Sequence, residues 1–233
     1  MLRETYTKEL RHLQDEILRM GSEVEENLLK AVDALIKRDL NASERLVQSD
    51  KWFNQRRIDI GHQAFGVIAT QQPIAGDLRL IAATLEIAGE LERIHDYVKG
   101  IGNISLMIGE EAVPAELVMH MPIMAEKARF MLHRALDAFT ERNSQLAYEI
   151  IKSDDEVDKL YNKTYRAVMR YMADNSDDFE LAQRLEWAGH NLERAADRVQ
   201  IFASGSFTWL LVNTIKVRIY CDLSKSSPIV NDC

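Results

Sequence analysis

The segment Leu91-Glu92-Arg93-Ile94-His95-Asp96 returns 101 residues later as Leu192-Glu193-Arg194-Ala195-Ala196-Asp197. Upstream the doubling continues at a slightly longer spacing: Ala31-Val32-Asp33-Ala34-Leu35 returns as Ala135-Leu136-Asp137-Ala138-Phe139, and Ser49-Asp50 as Ser153-Asp154, each 104 residues on. Self-similarity at a fixed spacing marks a duplicated structural unit, and the three residues lost between the two spacings fall in a shorter second turn. The period inside each copy is helical. Leu80, Ile87, Leu91, Ile94, Val98 and Ile101 step by threes, fours and one seven, and Leu181, Ala188, Leu192, Ala195 and Val199 follow the same course. One apolar stripe on each helix is bundle packing.

Punctuation divides the chain further. Pro73, Gly76, Gly109 and Pro114, with the polar runs Asp39-Leu40-Asn41-Ala42-Ser43 and Asp174-Asn175-Ser176-Asp177-Asp178, read as turns. Six helices are expected between them, at residues 3–38, 43–71, 76–108, 115–141, 144–173 and 178–200. The expected fold is all-α, two tandem three-helix bundles related by pseudo-twofold symmetry. The first repeat takes residues 1–108, a linker 109–114, the second repeat 115–200, and an aberrant tail 201–233. Short connections require successive helices to run antiparallel.

Composition excludes several classes. Only 10 glycines and 4 prolines occur in 233 residues, which suits helices and disfavours a parallel sheet. A formal net charge of -8 argues against nucleic acid as a partner, because such binding rests on a basic surface that releases counterions. The start Met1-Leu2-Arg3-Glu4-Thr5 lacks the apolar centre of a signal peptide, and no run reaches the ~18 apolar residues of a membrane span. A cytoplasmic location is expected. Cys221 and Cys233 both lie in the tail, so a disulfide framework or cysteine metal site is not expected.

The candidate chemistry is carried by acidic pairs. Carboxylates four apart share a helix face, and such a like-charge pair costs about 0.2–0.5 kcal/mol unless something neutralises it. Glu92 with Asp96, Glu193 with Asp197, and Asp154 with Asp158 are pairs of this kind, while Asp50 and Asn54 stand at the equivalent first-repeat positions. Asp50 lies 23 residues before Pro73 and Asp96 lies 23 after it; Asn54 and Glu92 lie 19 on either side. About Ser176, Asp154 and Asp197 lie 22 and 21 away, and Asp158 and Glu193 lie 18 and 17 away. Each hairpin therefore sets four oxygen-bearing side chains at one height, a donor set for a hard or borderline cation such as Mg, Mn or Fe.

Against this stands the ordinary reading of acidic pairs as solvated faces. Duplication at matched height weighs against it, as do stripes that join Asp50 and Asn54 to Val47, Ile58 and Phe65, and Asp154 and Asp158 to Ile151, Tyr165 and Met169. A ferritin-like di-iron oxidoreductase is the alternative, since Glu9 with His12 and Glu92 with His95 have the Glu-x-x-His spacing of such centres. His95 becomes Ala196 in the second copy while both carboxylates stay, so the duplicated chemistry does not use histidine. His62 and His133 read as structural or surface residues. Glycine-rich phosphate loops, HExxH and Gly-x-Ser-x-Gly are absent from the sequence.

At Ile68-Ala69-Thr70-Gln71-Gln72-Pro73-Ile74-Ala75-Gly76-Asp77-Leu78-Arg79, at Glu90-Leu91-Glu92-Arg93-Ile94-His95-Asp96-Tyr97 and at Asn191-Leu192-Glu193-Arg194-Ala195-Ala196-Asp197, the sequence resembles the PhoU family of phosphate-uptake regulators. The resemblance runs over about residues 4 to 199. It implies two tandem three-helix bundles whose Glu/Asp-x-x-x-Asp motifs bind metal in some members, often as a multinuclear iron cluster. It further implies a negative regulator rather than an enzyme, a homodimer that works beside the phosphate-specific ABC transporter ATPase and signals to a sensor histidine kinase. Asn54, standing where the second copy has Asp158, is a departure that weakens the first site.

The tail is a second departure. From Gln200, helix-forming Ala, Glu and Arg give way to Ser204-Gly205-Ser206-Phe207-Thr208-Trp209 and a β-branched stretch ending in Ser226-Ser227-Pro228. Gln200-Ile201-Phe202-Ala203-Ser204-Gly205 can be encoded CAA ATA TTT GCG AGT GG, and one added A before it gives ACA AAT ATT TGC GAG TGG. That frame reads Thr, Asn, Ile, Cys, Glu, Trp and continues with allowed codons into a sequence resembling a PhoU C-terminus. The expectation is a frameshift product that packs poorly on the bundle beyond about residue 204, with no role for Cys221 or Cys233.

Overall fold

The structure, a computed structural model, describes the backbone of residues 2–224 and the side chains of residues 4–203 except 144, 147, 148 and 151–154. Its helices are α1 (Leu2–Lys37), α2 (Leu40–Gln71), α3 (Ala75–Ile108), α4 (Ala115–Val118), α5 (Met121–Glu141), α6 (Ser144–Asp174) and α7 (Phe179–Ser224), with a 3-10 turn at Ser176–Asp178. No strand occurs among the described residues. Local chemistry sets the boundaries. The Asp39 carboxylate accepts from the Ala42 N–H at 2.9 Å and Asn143 accepts from Leu146 N at 3.1 Å, each satisfying an orphan donor at a helix start. Gln72 closes α2 in the left-handed region at φ 48° and returns its N–H to the Ile68 carbonyl.

Two expected boundaries move. The helix expected over 115–141 is broken at Met119-His120 into α4 and α5, with Pro122 in the first turn of α5, where its missing N–H costs nothing. The last helix, expected to end at 200, has a helical backbone to Ser224. How the tail side chains pack, and the cysteines with them, lies outside the described residues.

Helices α1, α3, α7 and α5 form a central ring in that order, with α2 laid against α1 and α3, and α6 against α5 and α7. Each three-helix unit is present, but their cores merge into one continuous apolar cluster. The α3 and α7 stripes that define the repeat meet at its centre: Leu91, Ile94, Val98, Leu192, Ala195 and Val199 are all completely buried. Full burial of each large aliphatic contributes about 1.5–3 kcal/mol. The two helices run antiparallel, since Gly100 faces Asn191 while, further along, Arg184 Nη1 donates to the Met107 carbonyl at 2.8 Å.

Candidate metal centre

In the first unit α2 and α3 bring Asp50, Glu92 and Asp96 together as their spacing requires. Asp50 is only 6% exposed. Its Oδ2 accepts from the Lys99 ammonium at 2.7 Å and from Asn54 Nδ2 at 3.1 Å, and its Oδ1 stands 3.6 Å from His95 Nδ1. Lys99 also reaches Asp96 Oδ1 at 3.9 Å, and Arg57 stands 3.9 Å from Glu92 Oε1. Burial would push the Asp50 carboxyl up, but Lys99 and then His95 hold it below the usual carboxylate range. Glu92 and Asp96 are pushed up, first by burial and then by neighbouring carboxylates. Asn54 takes part as a donor to Asp50 instead of as an oxygen facing a cation.

The second unit differs. Asp158 on α6 and Glu193 and Asp197 on α7 each offer one oxygen, all within 4.8 Å of one another. Burial and then the adjacent carboxylates raise the Asp158 and Glu193 pKa values. Glu193 Oε2 is buried without a hydrogen-bond donor, although His190 Nδ1 lies 3.5 Å away. Arg194 Nη1 donates to Asp197 Oδ2 at 3.2 Å, but among the described residues no cation bridges two of these carboxylates as Lys99 does in the first unit. The side chain of Asp154 lies outside the described residues. Three crowded carboxylates, one with an orphaned oxygen, fit an oxygen-preferring cation.

His95 is wholly buried, and that burial pushes its pKa down to about 4 against the pull of Asp50. Its ring stacks on Phe53 at 3.7 Å, and Nε2 lies 3.2 Å from Ser49 Oγ and 3.4 Å from Asn27 Nδ2. Asn27 thus marks the height of His95 on α1. His12 lies fifteen residues earlier on that helix, roughly 22 Å away at 1.5 Å per residue. The two Glu-x-x-His motifs do not converge.

The stripes assigned to Asp50 and Asp158 are also broken. Asp50 is buried, while Ile58, Phe65, Tyr165 and Met169 are exposed. The sequence reading missed Lys99, whose signal was present: it follows Asp96 by three, on the same helix face, and its counterpart at the later spacing is the uncharged Gln200.

A family model described as the PhoU domain matches residues 17–105 and 121–204, so both repeats are matched and the second match ends where the tail begins to diverge. The chain is 33% identical over 200 residues to the phosphate-specific transport system accessory protein PhoU homolog of Clostridium acetobutylicum, spanning 85% of this chain and 90% of that protein. The homolog from Caulobacter vibrioides is 32% identical over 193 residues, spanning 83% and 84%. The crystal structure of PhoU from Pseudomonas aeruginosa aligns with TM-score 0.83 at 27% identity, covering 90% of this chain and 100% of that one. The regulatory protein PhoU from Streptococcus pneumoniae shares the fold, with TM-score 0.80 at 24% identity over 89% of this chain and 97% of that one. Matched in both repeats and over most of its length, this chain belongs to the PhoU family.

Proposed function

We propose that this chain is a negative regulator of phosphate uptake and of the phosphate-starvation response, a helical signalling module between the phosphate ABC transporter and a sensor histidine kinase. The observation that carries this reading is the family match across both repeats, with relatives named as accessory proteins of the phosphate-specific transport system. Regulation here is a matter of docking. Phe65 on α2 and Met169 on α6, at repeat-related positions 104 apart, are exposed apolar side chains that suit contact with the transporter ATPase, the kinase or a second copy of the chain. No described helix is long and apolar enough to cross a membrane, in keeping with a cytoplasmic protein brought to the membrane's inner face by its partners.

Asp158, Glu193 and Asp197 would hold the metal, an iron, manganese or magnesium ion bound through oxygen. Such an ion supplies positive charge that relieves their mutual repulsion. The side chains themselves join α6 to α7, so their placement sets the angle at which the second unit presents its outer face. A di-iron oxidoreductase is disfavoured by the roughly 22 Å between the heights of the two Glu-x-x-His motifs.

Deleting the gene and following a phosphate-starvation reporter tests the function. The reporter is expected to switch on in phosphate-rich medium and to be silenced again by the intact chain; a reporter that stays silent in the deletion strain would refute the reading. Co-purification with the ATPase from phosphate-replete cells tests the partner.

A further inference from the structure

We propose that the first carboxylate cluster is closed by the chain's own cation: the Lys99 ammonium takes the place of a metal ion, and metal is taken up by the second unit alone. The metal arm of this inference rests on the reading of Asp158, Glu193 and Asp197 given above.

The geometry is that of an occupied site. Lys99 Nζ spans the helix pair, 2.7 Å from Asp50 Oδ2 on α2 and 3.9 Å from Asp96 Oδ1 on its own helix. A cation needs carboxylate lone pairs turned toward it. Asp50 Oδ2 already accepts from Lys99 and Asn54, while Oδ1, buried without a hydrogen-bond donor, stands 3.6 Å from the ring nitrogen of His95. Charge follows the same division. The three carboxylates of the first cluster stand beside Lys99 and Arg57, whereas among the described residues those of the second are paired with Arg194 and, at 3.5 Å, with the imidazole of His190. The sequence draws the contrast at one position, since Lys99 maps onto Gln200 at the 101-residue spacing and an amide brings no charge. Asn54 and Lys99 therefore work together. One removes a ligand and the other supplies the counter-charge, although the carboxylate pair on α3 is kept as it is on α7.

An ion could enter only by expelling the ammonium. Lys99 is 35% exposed, so its four-carbon stem can swing into water, but Asp50 would lose a charge-assisted hydrogen bond made in a poorly solvated position. The exclusion is therefore a competition, and removing the lysine should reverse it.

The test is uptake of manganese by the full chain after chelator treatment, read as loss of the free Mn(II) electron-spin signal. Wild type is expected to bind through the second unit only, so Asp197→Asn removes tight uptake and Asp96→Asn does not. Lys99→Gln, which copies the second unit, is expected to add a class of sites that survives Asp197→Asn and binds at least tenfold more tightly than the first cluster of wild type. Lys99→Arg should keep it closed, and Gln200→Lys should close the second unit. Equal loss of manganese in Asp96→Asn and Asp197→Asn would overturn the proposal. If wild type takes up no manganese, the reading of the second unit fails on its own. The Lys99→Gln/Asp197→Asn protein then still decides the role of Lys99: new uptake supports it and none overturns it. Should Lys99→Gln fold poorly, a manganese-dependent rise in its Tm, absent in Asp197→Asn with Lys99 kept, gives the same answer.

Discussion

Gly102 on α3 faces the carbonyl of Ser43 on α2 so closely that a Cβ there would stand 3.2 Å from that oxygen and 3.1 Å from Val47 Cγ2. Beside it the Ser43 and Ser105 hydroxyls share a 2.8 Å hydrogen bond, so the helix pair is drawn together where the glycine permits it. Gly61 and Gly66 on α2 have nothing within 4 Å of the same position. Alanine at either is expected to stabilise the protein by about 0.5–1 kcal/mol through helix propensity. Gly102→Ala should lose that gain and fall below wild type, because backbone oxygen is what must give way. Urea melts of the three variants check the order, and a Gly102→Ala protein as stable as Gly66→Ala would show that the helices are not held this close.

The Tyr6 hydroxyl donates to Asp77 Oδ2 at 2.8 Å, fastening the start of α1 to the first turn of α3. Burial, the hydrogen bond and the carboxylate's charge, in that order, push the phenol up to about 12 from 10.0. A folded-state value above the unfolded one means stability fully present below pH 10 and lost as pH rises toward 12. Tyr6→Phe is expected to cost about 1 kcal/mol near neutrality. Its gap to wild type should close across that alkaline window. Paired urea melts measure it; a gap that stays constant to the top of the window would sink the assignment.

Much of the fold was legible because the chain repeats itself. Once Leu91 to Asp96 and Leu192 to Asp197 were aligned, helix count, antiparallel order and the height of the carboxylates followed from spacing. What spacing could not give was the direction of polar side chains within one height. Asn54 stands at a ligand position but donates to Asp50, and Lys99, three after an aspartate, has a spacing that equally suits a solvated surface pair. Nor could periodicity show that the two units fuse their cores, since a stripe says how much is buried and not against which neighbour. The break at Met119-His120 was hidden by an otherwise helical pattern, although Pro122 stood at the right place to announce a helix start.

His95, stacked on Phe53 and touching Ser49 and Asn27, belongs to a group in which the second repeat keeps the serine, as Ser153, but has Ala196, Val157 and Met131 for His95, Phe53 and Asn27. Imidazole, phenyl and amide have given way to three aliphatic side chains, and Met131 is buried as Asn27 is. His95→Ala should therefore cost about 3 kcal/mol, as truncation of a large buried ring does. Combined with Phe53→Val it should cost less than the sum of the two single changes, by about 0.5–1.5 kcal/mol, since the stacked contact is lost once. Additive losses in a double-mutant cycle would mean that the two rings merely adjoin.

The gene offers an independent check on the tail. The PhoU match stops at residue 204, close to the change in composition. We expect a one-base change after the Val199 codon to open a frame reading Asn-Ile-Cys-Glu-Trp or close to it. The nucleotide sequence settles the matter, and a locus with no such frame ends the idea.

The two clusters differ at Asn54 and Asp158, and exchanging these residues should exchange part of their behaviour. In the metal-free chain Asp158 is held among Glu193 and Asp197, all offering oxygens within 4.8 Å of one another. Asp158→Asn removes one of three like charges and is expected to raise stability by about 0.2–0.5 kcal/mol. It should also abolish the stabilisation that added manganese gives wild type, which grows with the logarithm of free ion over Kd. Asn54→Asp works the other way, because it replaces two donated hydrogen bonds to Asp50 with a further carboxylate. Its metal-free form should be less stable than wild type by about 1 kcal/mol or more, since Asp50 is nearly buried and Lys99 and Arg57 must then serve a larger charge. Thermal melts with chelator and with manganese test both arms. If Asp158→Asn is destabilising in chelator while wild type gains nothing from manganese, the three carboxylates of the second unit are ordinary solvated charges.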